Sequence, residues 1–299
     1  MILSTITDML FIDSFEEALR TTKELGFDYI DVRDKLDGDT VDSISVEKAR
    51  ELKIRIDHYG LKTCVIVSRM VNPVAMTGPN KYDKYDDKHP AHTLDVINNL
   101  CDVADALDAK YIRGNPLYRP VNYHLLSAQE QEEQQKHNAA VMFGMGELAK
   151  SRDKIILIEN EPPSLANKAE ELGWLMRLTN HPNIRINWDI VNEWRAGIYP
   201  TLESYEYLKG LLGGTHLKGA YRVYGSQSAD NPSGLYRNFG IPDQDDFDHE
   251  PLLKAIAQYD PQAVMSIDTH FHHLDEEDQK IGPVEVMRRS KVLFERMLT

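Results

Sequence analysis

The sequence predicts an α/β protein, a (β/α)8 TIM barrel formed by a single domain over residues 1–299. Short β-rich segments alternate with longer helical segments along the whole chain. Each helix carries the chain back across the sheet, so the strands are expected to pair in parallel. Such a barrel typically needs about 250 residues. An open, doubly wound sheet could alternate in the same way, but eight units with few extra elements favour the closed barrel.

The first four predicted strands cover residues 2–7, 29–33, 62–68 and 110–113. Ser14 stands three residues before Glu17, the spacing of an N-terminal capping box, and therefore begins the first helix. A second helix, over residues 46–59, stops at Gly60, a typical C-terminal signal. A third helix is predicted over residues 91–107.

The last four predicted strands cover residues 154–159, 184–189, 215–218 and 263–268, and each carries a polar or charged residue at or near its end. In TIM barrels the functional groups lie at the carboxyl ends of the strands. Long helices are predicted at about residues 127–150 and 284–297. Two long polar segments, residues 70–89 and 221–248, are interpreted as loops, the first of them solvated and charged.

Composition narrows the classes of partner. The formal net charge of −14 disfavours nucleic acid and membrane surfaces, and it suits a small neutral molecule or a cation. Only two cysteines are present, Cys64 and Cys101, and both are interpreted as buried thiols. The N-terminus lacks the basic region of a signal peptide, and no apolar run has transmembrane length, so a cytoplasmic location is predicted.

Four side chains carry the predicted chemistry. Glu159, Asp189, His216 and Asp268 stand at or near the ends of the last four strands. Each could be an ordinary structural residue by itself, but four metal-ligand types at consecutive strand ends indicate one divalent-metal site. Three carboxylates and one imidazole suit Mn²⁺, Mg²⁺ or Co²⁺, and Zn²⁺ less well because no thiolate is present.

These residues also carry a family resemblance. The segments are IEN ending at Asn160, WDIVN ending at Asn192, HLK ending at Lys218 and SIDTH around Asp268. In their order and spacing they resemble the xylose isomerase-like TIM-barrel superfamily (AP endonuclease family 2-like) of sugar isomerases, epimerases and inosose dehydratases. Endonuclease IV is a distant relative of that superfamily. The resemblance covers nearly the whole chain.

The resemblance implies roles for the same residues. Glu159, Asp189, His216 and Asp268 would be the metal ligands, and Glu159 and Asp268 would also form the acid/base pair across the substrate. Lys218 would bind a substrate hydroxyl or carboxylate or take part in proton transfer. The chain departs from the family at Asp268, which stands where Glu is usual, so this arm is one methylene shorter.

Further substrate contacts are expected around the same mouth. By resemblance, Asn192 and Arg222 would contact substrate, and His270 would assist the shortened arm of Asp268. Arg113 and Asn115 end the fourth strand and face the same mouth. Few basic residues are recognisable near the strand ends, which makes a phosphorylated substrate less expected.

The function predicted is a metal-dependent sugar or polyol isomerase or epimerase that moves a proton beside the carbonyl of a ketose-like substrate. An inosose-type dehydratase could use the same site. Two further functions are weighed: a non-catalytic sugar-binding barrel, and an endonuclease IV-like phosphodiesterase, which the net charge and Ser68, Asn115 and Asn192 in place of its extra histidines disfavour. The resemblance also implies a homo-oligomer.

Overall fold

The computed structural model describes residues 1–69, 90–116, 119, 123–162, 164–224, 235–243 and 245–299. Eight parallel strands close into one barrel, which confirms the predicted (β/α)8 fold. In their order around the barrel the strands are β1 (Ile2–Ile6), β2 (Tyr29–Val32), β3 (Lys62–Val67), β4 (Tyr111–Gly114), β5 (Ile155–Glu159), β6 (Ile184–Asp189), β7 (Leu212–Leu217) and β10 (Val264–Ile267).

The register of the barrel brings the polar strand ends to one rim. Glu159 at the end of β5 pairs with Asn187 of β6. Asp189 at the end of β6 pairs with His216 of β7. The strands are parallel, so their carboxyl ends meet at the same mouth.

Helices surround the barrel. They are α1 (Phe15–Glu24), α2 (Val46–His58), α3 (Pro90–Ala106), α4 (Ala128–Ser151), α5 (Ala169–Thr179), α6 (Ile190–Arg195), α7 (Leu202–Glu206), α8 (Glu250–Tyr259), α9 (Glu276–Lys280) and α10 (Pro283–Leu298). Half of the predicted capping box of α1 is present: the Ser14 hydroxyl accepts a hydrogen bond from the backbone N–H of Glu17, whereas the Glu17 side chain pairs with Arg20. Of the helices in the described ranges, none is both long and apolar enough to cross a membrane.

The segment after β7 corrects one sequence-based prediction. The sequence predicts a loop over residues 221–248, but β8 (Gly219–Tyr224) and β9 (Leu235–Gly240) form an antiparallel pair outside the barrel. Glycine is typical of loops, yet here it lets two strands approach closely. A Cβ atom on Gly219 would collide with the carbonyl of Gly240. The loop predicted over residues 70–89 lies outside the described residues.

Strand β7 also begins earlier than predicted, at Leu212 rather than at Thr215. The cause is again glycine, since Gly213 and Gly214 suggest a turn in sequence. In the fold they allow close packing against β5 and β6. A Cβ atom on Gly214 would lie 2.6 Å from Oδ1 of Asn187. Cys64 and Cys101 are buried free thiols, as predicted.

Candidate active site

A cavity of about 320 Å³ opens at the carboxyl ends of the barrel strands. Most of the side chains predicted to form a site line it. These are Arg113, Asn115, Glu159, Asn192, His216, Lys218, Asp268 and His270. Asp189 joins the same group through Lys218, whose Nζ lies 2.5 Å from Asp189 Oδ2.

Glu159 is the most extensively hydrogen-bonded acid of the site. Its Oε2 accepts hydrogen bonds from Arg113 Nε and from Asn187 Nδ2 at 3.3 Å. Its Oε1 lies 3.1 Å from His216 Nδ1 and 3.3 Å from Asn192 Nδ2. Burial by itself raises the pKa of Glu159, but the charges of Arg113 and His216 lower it well below its ordinary value. Glu159 is therefore an ionised carboxylate held in one orientation.

The two carboxylate oxygens of Asp189 have different partners. It ends β6 and caps α6, because its Oδ1 accepts a hydrogen bond of 2.8 Å from the backbone N–H of Asn192. Its other oxygen faces Lys218. Burial raises the pKa of Asp189 to about 6, although the lysine charge opposes that rise. The cap fixes Asp189 at the rim and leaves Oδ2 for a cation.

Asp268 follows β10 and has a different environment. Its Oδ2 lies 2.9 Å from His270 Nε2 and 3.2 Å from Lys218 Nζ. Its buried Oδ1 has no hydrogen-bond partner within the described part of the chain. Burial raises the pKa of Asp268, but His270 and Lys218 together lower it well below its ordinary value. Oδ2 of Asp268 is therefore held by two neighbouring side chains, and Oδ1 is available to a ligand.

Lys218 links two of these acids. It is fully buried, and its ammonium group contacts both Asp189 and Asp268. Burial alone would lower the pKa of Lys218, but the neighbouring carboxylates raise it above its ordinary value. The side chain therefore carries a positive charge inside the barrel mouth.

Three side chains could hold a divalent cation. Glu159, Asp189 and His216 each offer one ligand atom, and these atoms all lie within 4.8 Å of one another. Two carboxylate oxygens and one imidazole nitrogen suit a divalent metal that keeps positions open for substrate. The Lys218 ammonium occupies one side of Asp189, so a metal would share that carboxylate with the lysine. The residues present fit a metal with three protein ligands, and Asp268 stands outside that group of three.

Two predicted site residues, Asp189 and Arg222, are not part of the cavity lining; Asp189 contacts Lys218, which is part of it, whereas Arg222 pairs elsewhere. It lies on β8, where its Nε pairs with Asp246 Oδ2 at 2.6 Å and its side chain is 46% exposed. Arg222 shares a hairpin face with Phe239, but it lies two residues beyond Ala220, the partner of Phe239, toward the tip of the hairpin.

The structure also adds lining residues that the sequence did not single out: Arg33, Arg69, Arg195 and Phe239. Arg33 directly follows β2, so the strand-end argument could have found it. Arg195 lies one helical turn after Asn192 and shares its helix face. Phe239 comes from β9, and no local signal connects that distant segment with the barrel mouth.

The comparison with known proteins agrees with this geometry. A family model described as "Xylose isomerase-like TIM barrel" matches residues 19–290. The chain belongs to this family. In sequence, no curated protein matches it. The family of this xylose isomerase-like chain is therefore assigned by the family model, and its fold agrees with that assignment.

Three solved structures illustrate the likeness in fold. A structure of the IOLI protein with a bound zinc atom has a TM-score of 0.72 at 17% identity, covering 100% of this chain and 98% of that one. An L-ribulose 3-epimerase has a TM-score of 0.70 at 15% identity, with 100% and 95% covered. A probable 3-DHS dehydratase from Bacillus anthracis has a TM-score of 0.68 at 15% identity, with 98% of each chain covered.

Proposed function

We propose that this xylose isomerase-like chain is a divalent-metal-dependent sugar or polyol isomerase or epimerase that transfers a proton beside a carbonyl. One observation carries the proposal. Glu159, Asp189 and His216 converge within 4.8 Å at the ends of three neighbouring strands. Asp268 follows the next strand around the barrel and lines the same cavity.

The similar structures support the proposal in two ways. One of them is an L-ribulose 3-epimerase, and another contains a bound zinc atom. The oxygen-rich ligand set favours Mn²⁺, Mg²⁺ or Co²⁺. The zinc atom in the IOLI protein makes Zn²⁺ a fourth metal to be tested.

A metal held by Glu159, Asp189 and His216 would polarise the substrate carbonyl and make the neighbouring C–H more acidic. The protein residues then handle the proton. Glu159 and Asp268 are ionised, so either can remove a proton from the carbon beside the carbonyl. They stand on the two outer members of four neighbouring strands, so they approach a substrate between them from different sides.

The neighbours of these acids orient the substrate and the bases. Asn192 and Arg113 hold Glu159. His270 and Lys218 hold Oδ2 of Asp268, which leaves Oδ1 for the substrate. The Lys218 ammonium also supplies a positive charge near any oxygen that becomes negative during proton transfer.

The proposal is tested by solvent deuterium exchange. The protein, supplied in turn with Mn²⁺, Mg²⁺, Co²⁺ and Zn²⁺, is incubated in deuterated water with a panel of ketoses and inososes. We expect deuterium at the carbon beside the carbonyl of at least one compound. The elemental composition of the product should otherwise equal that of the substrate. Absence of exchange with every compound and every metal would overturn the proposal.

A dehydratase is the second candidate, and His270 is the observation that favours it. Its imidazole lies 2.9 Å from Asp268 and lines the cavity, so it can form a hydrogen bond to a departing hydroxyl group. The similarity to a probable 3-DHS dehydratase is consistent with this chemistry. The mass of the product separates the two candidates, because only dehydration loses water.

A further inference from the structure

Several basic side chains line the cavity, although the chain as a whole has a net charge of −14. Four arginines and one lysine line it: Arg33, Arg69, Arg113, Arg195 and Lys218. A neutral ketose needs hydroxyl and amide partners and does not require several guanidinium groups. The basic side chains of the lining therefore favour a substrate that carries a negative charge.

Four of the five cations already have carboxylate partners. The pairs are Arg33 with Asp8, Arg69 with Asp34, Arg113 with Glu159 and Glu161, and Lys218 with Asp189 and Asp268. Arg195 differs from them, since it has no acidic partner within the residues that the structure describes. It is the cation that remains available to a ligand.

The guanidinium of Arg195 is held by an aromatic ring. Its Cζ lies 4.5 Å from the centre of the Phe239 ring. Phe239 also stacks on His270, with ring centres 4.4 Å apart and planes 16° from parallel. A guanidinium that lies over a ring keeps its N–H groups free at its edge, where they match the geometry of a planar oxyanion.

The helix places Arg195 at a fixed distance from the metal ligands. Asp189 caps the start of α6, Asn192 lies in its first turn, and Arg195 is its last residue. Asn192 and Arg195 are three residues apart, so they share one helix face. The helical rise separates Asp189 from Arg195 by about 9 Å along the axis. That separation suits the two ends of one small polyol chain.

The charge balance indicates how negative the ligand is. Six carboxylates line the cavity or pair with its cations, against five guanidinium and ammonium groups. The carboxylates that face the paired cations offset their charge, so the guanidinium of Arg195 is the charge that remains for one anionic group of a ligand.

We propose that the substrate is a sugar acid, whose carboxylate is bound by Arg195 at the rim while its carbonyl lies against Glu159, Asp189 and His216. This inference deepens the proposed function and rests on it. It corrects the expectation from sequence that few basic residues surround the site.

The test compares three six-carbon probes: D-gluconate and D-sorbitol, which differ at C1, and D-sorbitol 6-phosphate, which carries a phosphate at the opposite end. Their affinities for the Mn²⁺-supplied protein are measured by isothermal titration calorimetry. We expect gluconate to bind about tenfold more tightly than sorbitol, the effect of one charge-assisted hydrogen-bonded pair. Arg195→Met should remove this preference by weakening the binding of gluconate. Arg20→Met, on the half-exposed arginine of α1, should retain it.

Three results would overturn the inference: equal affinities for gluconate and sorbitol, an intact preference in Arg195→Met, or tighter binding of sorbitol 6-phosphate than of gluconate. If circular dichroism shows that Arg195→Met is unfolded, Arg195→Lys replaces it. Arg195→Lys should weaken the preference, because lysine lacks the planar fork. A full preference in Arg195→Lys would also overturn the assignment.

Kinetics separate a failure of this inference from a failure of the proposed function. If neutral ketoses exchange deuterium with kcat/KM values equal to those of keto sugar acids, the sugar-acid assignment is wrong and the proposed function stands. If no compound exchanges but gluconate still binds through Arg195, the proposed function is wrong and the anion site stands.

Discussion

The ammonium nitrogen of Lys218 lies 2.5 Å from Oδ2 of Asp189, one of the three residues that could hold a metal. The same ammonium lies 3.2 Å from Oδ2 of Asp268. One buried lysine thus connects Asp189, one of the three candidate metal ligands, to Asp268. Two acids that would otherwise repel each other in a buried site share one positive charge.

Replacing Lys218 by Met should lower the free energy of unfolding by about 3–5 kcal/mol, because Asp189 and Asp268 lose a buried cation. Urea denaturation in a metal-free buffer measures the loss. Added Mn²⁺ should recover part of it, since the metal supplies the missing charge. In the double variant with Asp268→Asn, the combined loss should be smaller than the sum of the two single losses.

Lys154→Met provides the matched control for this prediction. Lys154 is also largely buried, but its partner Asp105 is half exposed at the other end of the barrel. Lys154→Met should lower the free energy of unfolding clearly less than Lys218→Met does. Equal losses for the two lysines, or full additivity with Asp268→Asn, would contradict the shared ion pair.

Replacing Glu159 by Gln should slow solvent deuterium exchange by about 100-fold or more, because the amide cannot accept the substrate proton. Glu193→Gln is the control. Glu193 is also buried, but it accepts a hydrogen bond of 2.8 Å from Trp188 Nε1 and does not line the cavity. Exchange should persist in the control. Full exchange in Glu159→Gln would remove this acid from the mechanism.

Replacing His216 by Ala should weaken metal binding by at least about tenfold. Even the loss of a residue that only hydrogen-bonds to a metal ligand weakens metal binding by about this factor. Metal per chain is measured by inductively coupled plasma mass spectrometry after dialysis. His181→Ala is the control, because His181 is equally buried but precedes β6 and pairs with Glu147. Unchanged metal content in His216→Ala would disprove its role as a ligand.

Stability should depend on pH through Asp31, which lies inside the barrel. It accepts hydrogen bonds from Ser4 Oγ at 2.9 Å, from Ser266 Oγ and from the backbone N–H of Val65 at 3.1 Å. Burial nevertheless raises the pKa of Asp31 to about 6. A raised carboxyl pKa means that the folded state holds the proton more tightly, so the stability contribution is present below about pH 4 and is lost as the pH rises to about 6.

Asp31→Asn removes this titration. The variant should gain up to about 3 kcal/mol over the natural chain at neutral pH, and the difference should shrink toward pH 4. Urea denaturation across this range measures both values. Asp28→Asn, on an exposed acid paired with Lys23, should show no comparable dependence. If the difference in free energy of unfolding between Asp31→Asn and the natural chain is the same at every pH, the raised pKa of Asp31 is refuted.

Replacing Gly219 by Ala should displace the hairpin of β8 and β9, because the added Cβ atom meets backbone rather than a movable side chain. We expect a loss of about 1–3 kcal/mol in stability. We also expect a raised KM, since the hairpin carries Phe239 over Lys218 and His270.

Gly144→Ala is the matched glycine control. Its Cβ atom would have as its nearest neighbour Leu94 Cδ2, at 3.9 Å, and the position lies inside α4. The change should be neutral or stabilising by up to about 1 kcal/mol. An unaffected KM in Gly219→Ala would show that the position of Phe239 does not matter for substrate.

The sequence by itself predicted the barrel and most of its mouth. Local patterns define strands and helices, and parallel pairing then brings all carboxyl strand ends to one rim. Glu159, Asp189, His216, Lys218 and Asp268 could be placed together for that reason alone. Their grouping needed only the order of the strands, which the alternation of elements determines.

Only the tertiary structure decided what these residues contact. It brought ligand atoms of Glu159, Asp189 and His216 within 4.8 Å of one another and placed Lys218 between Asp189 and Asp268. It also brought Arg195 and Phe239 to the cavity and left Arg222 outside it. Strand ends follow from short-range periodicity, whereas side-chain distances of a few ångströms depend on the register of the closed barrel and on how the hairpin packs across its mouth.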